Sequence, residues 1–208
     1  MPGRSLGRQL AAPTGFFGQM AGRYRNRVNA PLHAAALAAL QAAPGERVLE
    51  LGFGHGSMLE RLAGLVAPGA VTAVDESVAM IEGARRRYRH LLENGSIELA
   101  CGTAERLPLA DRRFDRACSV DRIQAWRSPQ AGLVEIQRVL RPGGRLVLAF
   151  YPWDTLRRRR QAPLTPVPLY ARNVGRLLES AGFREVRVQL HGPETWPFAC
   201  AIAERAPG

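Results

Sequence analysis

The sequence predicts a single α/β domain: a mostly parallel sheet with helices on both faces and an antiparallel last strand. Three observations point there. Short apolar runs alternate with helical stretches along the chain, the first run ends in a glycine-rich turn, and the last two runs are joined too closely for a crossover helix. A chain of 208 residues and 22.8 kDa suits one domain and is short for two. Its 46% hydrophobic and 23% charged residues are ordinary for a soluble globular protein.

Residues 1–28 carry Gly3, Gly7, Pro13, Gly15, Gly18 and Gly22 with Phe16, Phe17 and Tyr24 and show no sustained period, so an irregular arm is expected. The Ala/Leu-rich run Pro31 to Ala43 is a helix stopped by Pro44-Gly45. Arg47 to Leu51 reads as a strand buried on both faces. Ser57 with Glu60 has the form of a capping box for a helix reaching Val66, which Pro68-Gly69 ends. Ala70 to Val74 is the second strand. Ser77 then opens a helix with Val78, Ile81, Ala84, Tyr88 and Leu91 on one stripe. Strands follow at Ile97 to Ala100, Phe114 to Val120 and Arg145 to Tyr151, with a helix from Ala131 to Leu140 before the last. Pro152 to Pro168, with the run Arg157 to Arg160, is expected to be a loop or flap. A helix over Asn173 to Ala181 and strands near Phe183 to Gln189 and Phe198 to Ala203 complete seven strands.

Chemistry concentrates after the first strand, in Glu50-Leu51-Gly52-Phe53-Gly54-His55-Gly56-Ser57. Alternating glycines let backbone turn sharply and lie close to a ligand. The dinucleotide fingerprint wants a third glycine where Ser57 stands. A pyrophosphate also wants an unopposed positive helix end, whereas Glu50 suits a cationic amine. These features disfavour a nicotinamide cofactor. Asp75 follows about twenty residues beyond Gly56, at the end of the second strand, where an acid accepts from both ribose hydroxyls.

On these residues the chain resembles class I S-adenosylmethionine-dependent methyltransferases, in particular the ubiquinone/menaquinone-biosynthesis-like (type 11) branch. The resemblance is carried by Val48 to Gly56, Val74 to Met80, Gly102 to Leu109 with Phe114-Asp115, and Glu135 to Leu146, in order across residues 46–151. It implies a Rossmann-like seven-stranded sheet, S-adenosyl-L-methionine as cofactor, and methyl transfer to a small-molecule acceptor through oxygen, nitrogen or carbon. By position, Glu50 would hold the methionine ammonium. Gly52 and Gly54 would let the cofactor lie on the backbone, with Phe53, Gly56 and Ala104 completing the set. Asp75 would bind the ribose, and Glu76 and Met80 would flank the adenine. Thr103 stands where the family usually has an aspartate accepting from the adenine amino group; its hydroxyl accepts without charge assistance. Residues 1–45 would form an arm and helix covering the site, and 46–208 the cofactor-binding domain.

All 29 basic residues are arginine, giving a net charge of +11. The absence of lysine excludes Walker-type phosphate lysines, Schiff-base lysines and a lysine-containing methyltransferase tetrad. The charge favours anionic partners, whether a small acid, a phospholipid headgroup or nucleic acid, although the run Arg157 to Arg160 also reads as a solvated face. A nucleic-acid methyltransferase is disfavoured because the fourth strand ends Ser119-Val120-Asp121-Arg122, with no Asn/Asp-Pro-Pro-Tyr tetrad to hold a flipped base. A phospholipid or quinone acceptor stays open, as does a non-catalytic S-adenosylmethionine-binding role. Asp121 is the candidate catalytic residue, read equally as a substrate or cofactor contact and as a helix N-cap. Tyr24, Trp126, Trp153 and Tyr170 are candidates for an aromatic pocket or for packing. Cys101, Cys118 and Cys200 show no metal-ligand spacing and no disulfide framework, so no metal is expected. The same scattered, odd-numbered cysteines make a reducing cytoplasm the expected location, and no apolar stretch is long enough to span a membrane.

Overall fold

The computed structural model describes residues 28–158 and 168–207. One seven-stranded sheet organises them: β1 (Arg47–Leu51), β2 (Ala70–Asp75), β3 (Ile97–Cys101), β4 (Phe114–Val120), β5 (Leu140–Phe150), β6 (Phe183–His191) and β7 (Phe198–Arg205). Their order is β3-β2-β1-β4-β5-β7-β6. The pairs from β3 across to β5 are parallel, and β7 runs antiparallel to both β5 and β6. The expected seven strands, largely parallel with an antiparallel last strand, are therefore present.

Alternation along the strands builds two cores. Val48, Val71, Ala73, Cys118, Val147 and Ala149 face α1 (Ala30–Leu40), α2 (Leu59–Val66) and α3 (Val78–Arg87). Leu49, Leu51, Val74, Leu146, Leu148 and Phe150 face α5 (Pro129–Val139) and α7 (Ala171–Ser180). Both faces of the sheet are thus covered, as runs of consecutive apolar residues require. Because β1→β2→β3 winds one way and β4→β5 the other, the order reverses between β1 and β4. Ligands of open α/β sheets bind at such a reversal, beyond the carboxyl ends of the strands.

Several local expectations differ. Ser57 does not cap α2: the chain keeps turning to Met58, and α2 begins at Leu59 with no side-chain cap. The long helix from Ser77 breaks at Tyr88 (φ −110°, ψ 29°), giving α3 and then α4 (Arg89–Glu93). Tyr88 is instead turned inward, its hydroxyl donating to the Gly56 carbonyl at 2.7 Å. Val78, expected on the buried stripe, is 65% exposed, because the first turn of α3 stands beyond the end of β2, whereas Ile81, Ala84 and Tyr88 are buried in the core and Leu91 packs against it. α5 starts two residues early, since Ser128 accepts from the Ala131 N–H at 3.3 Å and Pro129 suits the first turn. The Pro152 to Pro168 segment opens as a short helix, α6 (Trp153–Arg158), that buries Thr155 and Leu156. Arg159 and Arg160, like the N-terminal arm with Phe16, Phe17 and Tyr24, lie outside the described residues.

Leu148 is fully buried in the middle of β5. Leu148→Ala is expected to lower unfolding stability by about 2–5 kcal/mol, the range for emptying a large core position. Urea denaturation of both proteins measures it.

Candidate functional site

The turn after β1 is set by three glycines in left-handed conformation: Gly52 (φ 74°), Gly54 (φ 56°) and Gly56 (φ 73°). Side chains disfavour that region, so the alternation of glycines is a conformational demand. Asp75 ties this turn to the next one. Its Oδ2 accepts from the Gly54 N–H and its Oδ1 from the Ser77 N–H, each at 2.9 Å. Ser77 therefore occupies the cap position of α3 but serves through its backbone rather than its hydroxyl. Tyr88 braces the far side of the turn at Gly56, where a Cβ would lie 2.8 Å from Tyr88 Cε2. Tyr88 was expected only as a core residue; its bond to the turn depends on the break between α3 and α4.

Glu50 pairs in register with Ala73 and Cys118 and so points into the α1/α2 face, among apolar neighbours. It is buried, and among the described residues its Oε2 has no hydrogen-bond partner. Burial, with the Asp75 carboxylate adding repulsion, pushes the Glu50 carboxyl up to about 8. Cys118 is likewise pushed well up, first by burial and then by Glu50, which leaves it an inert core thiol.

A cleft of about 150 Å³ opens at the carboxyl ends of the central strands. Of the expected cofactor residues, Gly52, Asp75, Glu76, Thr103 and Ala104 line it. Glu50, Phe53, Gly54, Gly56 and Met80 do not line it. Phe53, Gly54 and Gly56 are buried behind the turn, and Met80 is half-buried against the core of the α1/α2 face. Sequence reasoning assigned no role in this cleft to Glu105, Arg122 or Arg127, which also line it; Trp126, an aromatic-pocket candidate, lines it too. Trp153 and Tyr170 stand elsewhere, Tyr170 with the Arg172 guanidinium 4.6 Å over its ring.

Two tertiary ties hold the loop after β4. Glu105 accepts from the Ser128 N–H at 3.1 Å. Burial works to raise the Glu105 carboxyl, but donors from the backbone of Ser128, Glu105 and Arg127 and from the Thr103 hydroxyl together hold it below the usual carboxylate range. Trp126 packs on Gly132 of α5, where a Cβ would come within 2.8 Å of its ring.

Asp121 has a left-handed backbone (φ 54°), and its N–H donates to the Ala149 carbonyl at 2.7 Å. It does not cap a helix. The 3₁₀ turn Ile123–Ala125 has Arg122 at its cap position, while the Asp121 carboxylate accepts from Asn29 Nδ2 at 3.0 Å and Gln124 Nε2 at 3.3 Å. These bonds join the approach to α1 to the end of β4.

Among the described residues no helix is long and apolar enough to cross a membrane. A methyltransferase-domain family model matches residues 49–148. Over 121 residues the chain is 44% identical to an uncharacterised 37.1 kDa protein in transposon Tn4556 of Streptomyces fradiae, covering 58% of this chain and 34% of that protein. Over 124 residues it is 41% identical to the demethylmenaquinone methyltransferase of Beutenbergia cavernae, covering 57% and 48%. The chain thus spans between a third and a half of the length of these relatives. In fold it superposes on a chain of the Haloferax volcanii complex between the Trm112 methyltransferase activator and a methyltransferase, with a TM-score of 0.74 at 19% identity, covering 88% and 93%. The glycine turn, Asp75, Thr103 and Asp121 all fall inside residues 49–148, the stretch that matches the methyltransferase-domain family, on a sheet that shares the fold of solved methyltransferases.

Proposed function

We infer that the protein transfers the methyl group of S-adenosylmethionine to a small-molecule nucleophile, and that an acceptor bearing negative charge suits it best. The observation that carries the cofactor assignment is the orphaned Glu50 Oε2, a buried carboxylate oxygen beside a left-handed glycine turn. Such an atom is costly unless a donor meets it, and the ammonium of a methionine moiety is such a donor. The residues present therefore fit this cofactor.

In this reading Glu50 receives the ammonium, Gly52 and Gly54 bring backbone against the ligand, and Asp75 offers its carboxylate to the ribose. Glu76, Thr103 and Ala104, which line the cleft, bound the adenine end. When bound, the cofactor supplies an electrophilic methyl on a sulfonium leaving group, lost in line to the nucleophile, so alignment contributes most of the rate. Asp121 is the candidate general base or acceptor contact for a protonated nucleophile, oriented by the Asn29 and Gln124 amides. The net charge of +11 supports an anionic acceptor. The similarity to a demethylmenaquinone methyltransferase supports trying quinols and phenols first.

Calorimetry with S-adenosylhomocysteine tests the assignment. Asp75→Asn is expected to weaken binding by about 1.5–3 kcal/mol, roughly ten- to 150-fold. Unchanged affinity in a folded variant would remove Asp75 from the ribose site. Transfer of labelled methyl to a panel of phenols, quinols and carboxylic acids tests the reaction. Binding without transfer to any acceptor would favour a non-catalytic role.

Glu50 makes a pH-dependent prediction. Its folded carboxyl titrates near 8 against an ordinary value of 4.5, so the native state holds the extra proton between those values. Stability from this group is complete below about pH 4.5 and is lost as pH rises through 8. Glu50→Gln lacks that loss. Its ligand-free melting midpoint should exceed the wild type's by at least about 3 °C at pH 8.5, the difference shrinking to nothing toward pH 4.5. Because the ammonium selects the ionised carboxylate, wild-type affinity for S-adenosylhomocysteine should rise with pH between 6 and 8. Pairs of buffers with different ionisation heats should show proton release on binding.

A further inference from the structure

The space above Gly52, which the cofactor reading reserves for ligand, is filled by the chain itself. A Cβ on Gly52 would lie 2.7 Å from Arg122 Cγ and 3.0 Å from Arg122 Cβ and Nε. The guanidinium reaches on to Asp75, with Nη2 3.9 Å from Oδ2, the oxygen that also accepts from Gly54. The Asp75 side chain is fully buried, whereas that of Arg122 keeps 23% of its surface. A buried carboxylate is thus given a cation by a side chain that still has one edge in water.

We propose that Arg122 is a displaceable gate: its stem covers Gly52 and its guanidinium pairs with Asp75, and the cofactor enters by exchanging that cation for the ribose hydroxyls. The backbone aims the side chain there. Left-handed Asp121, anchored through its N–H to Ala149 and through its carboxylate to Asn29 and Gln124, turns the chain at the end of β4. Arg122 then projects across the cleft instead of along the strand. The gate is weak in the sense that matters for turnover. A partly exposed ion pair at this separation is screened by salt, and an arginine stem has rotamers that carry it to solvent. Asp75 never loses its two backbone donors, so the turn keeps its shape while the cation leaves. Cofactor affinity is then set by a competition inside the site, and Arg122 lowers it.

The inference rests on the cofactor reading, and the experiment separates the two. S-adenosylhomocysteine binding is measured by calorimetry for the full chain, Arg122→Met and Arg122→Ala, each checked for folding by thermal melt, at 50 and 500 mM NaCl. At low salt Arg122→Met, which keeps the stem without the charge, should bind roughly fivefold more tightly than wild type. Arg122→Ala, which also clears Gly52, should bind more tightly still. Wild-type affinity should improve with salt, and both variants should lack that improvement. Weaker or equal binding by both variants at low salt overturns the gate while the cofactor reading stands. No binding by wild type or either folded variant overturns the cofactor reading and the gate together. The nuclear magnetic resonance signal of the Arg122 Nε–H adds a check free of ligand. It should be shifted and slowly exchanging in wild type and lose both properties in Asp75→Asn, and identical signals in the two proteins would also overturn the gate.

Discussion

With one oxygen on the Gly54 amide and the other on the Ser77 amide, the Asp75 carboxylate joins the turn after β1 to the turn after β2. Both bonds come from backbone N–H groups, and Ser77 brings with it the positive end of α3, so each oxygen of the buried Asp75 side chain meets a donor. The neighbouring acid bears the consequence. Among the described residues no donor meets the Glu50 Oε2, and the Asp75 charge adds to burial in raising the Glu50 carboxyl. Two carboxyls at adjacent strand ends thus have different surroundings, one with both oxygens on backbone donors and one with a buried oxygen that no described donor meets.

The same edge is closed by side chains that arrive from far along the chain. Tyr88 bonds the glycine turn from the α1/α2 face. Glu105 pins the loop after β4 at Ser128, and Trp126 locks that loop onto α5 through the bare Cα of Gly132. Asp121 ties the end of β4 to Asn29. Each tie satisfies a polar group or fills a gap at the edge of the sheet, where strand hydrogen bonding has run out.

Arginine does much of the remaining cross-linking, which gives the basic composition a structural meaning beside any electrostatic one. Arg138 donates to Glu135, Asp111 and the carbonyls of Leu107 and Leu109. Arg205 caps the end of α5 by donating to the carbonyls of Gln137, Arg138 and Leu140. Arg145 spans from Gln41 to Glu204. A planar fork with five donors can serve several acceptors at once, and an ammonium on a flexible stem serves them less exactly. Part of the positive charge is therefore built into the fold.

What the sequence by itself determined follows from local rules. Apolar runs five to seven residues long, glycines that must turn left-handed and an acid at a strand end are each dictated by a few consecutive residues, so the α/β class, the glycine turn and the positions of Glu50 and Asp75 were legible in the chain. The missed features were non-local. The stripe ending in Tyr88 and Leu91 looked like one helix because periodicity is blind to a tyrosine drawn to a carbonyl thirty-two residues away. Ser57 and Glu60 had the spacing of a cap, but the glycine turn continued through it. Nothing in Asp121-Arg122 announces that the arginine lies over Gly52, because that contact needs β1 and β4 side by side at the reversal of strand order. Local backbone preference settled where the ligand edge is, and only the packing of distant strands decided which side chains stand in it, since a side chain's neighbours across a parallel sheet are set by topology.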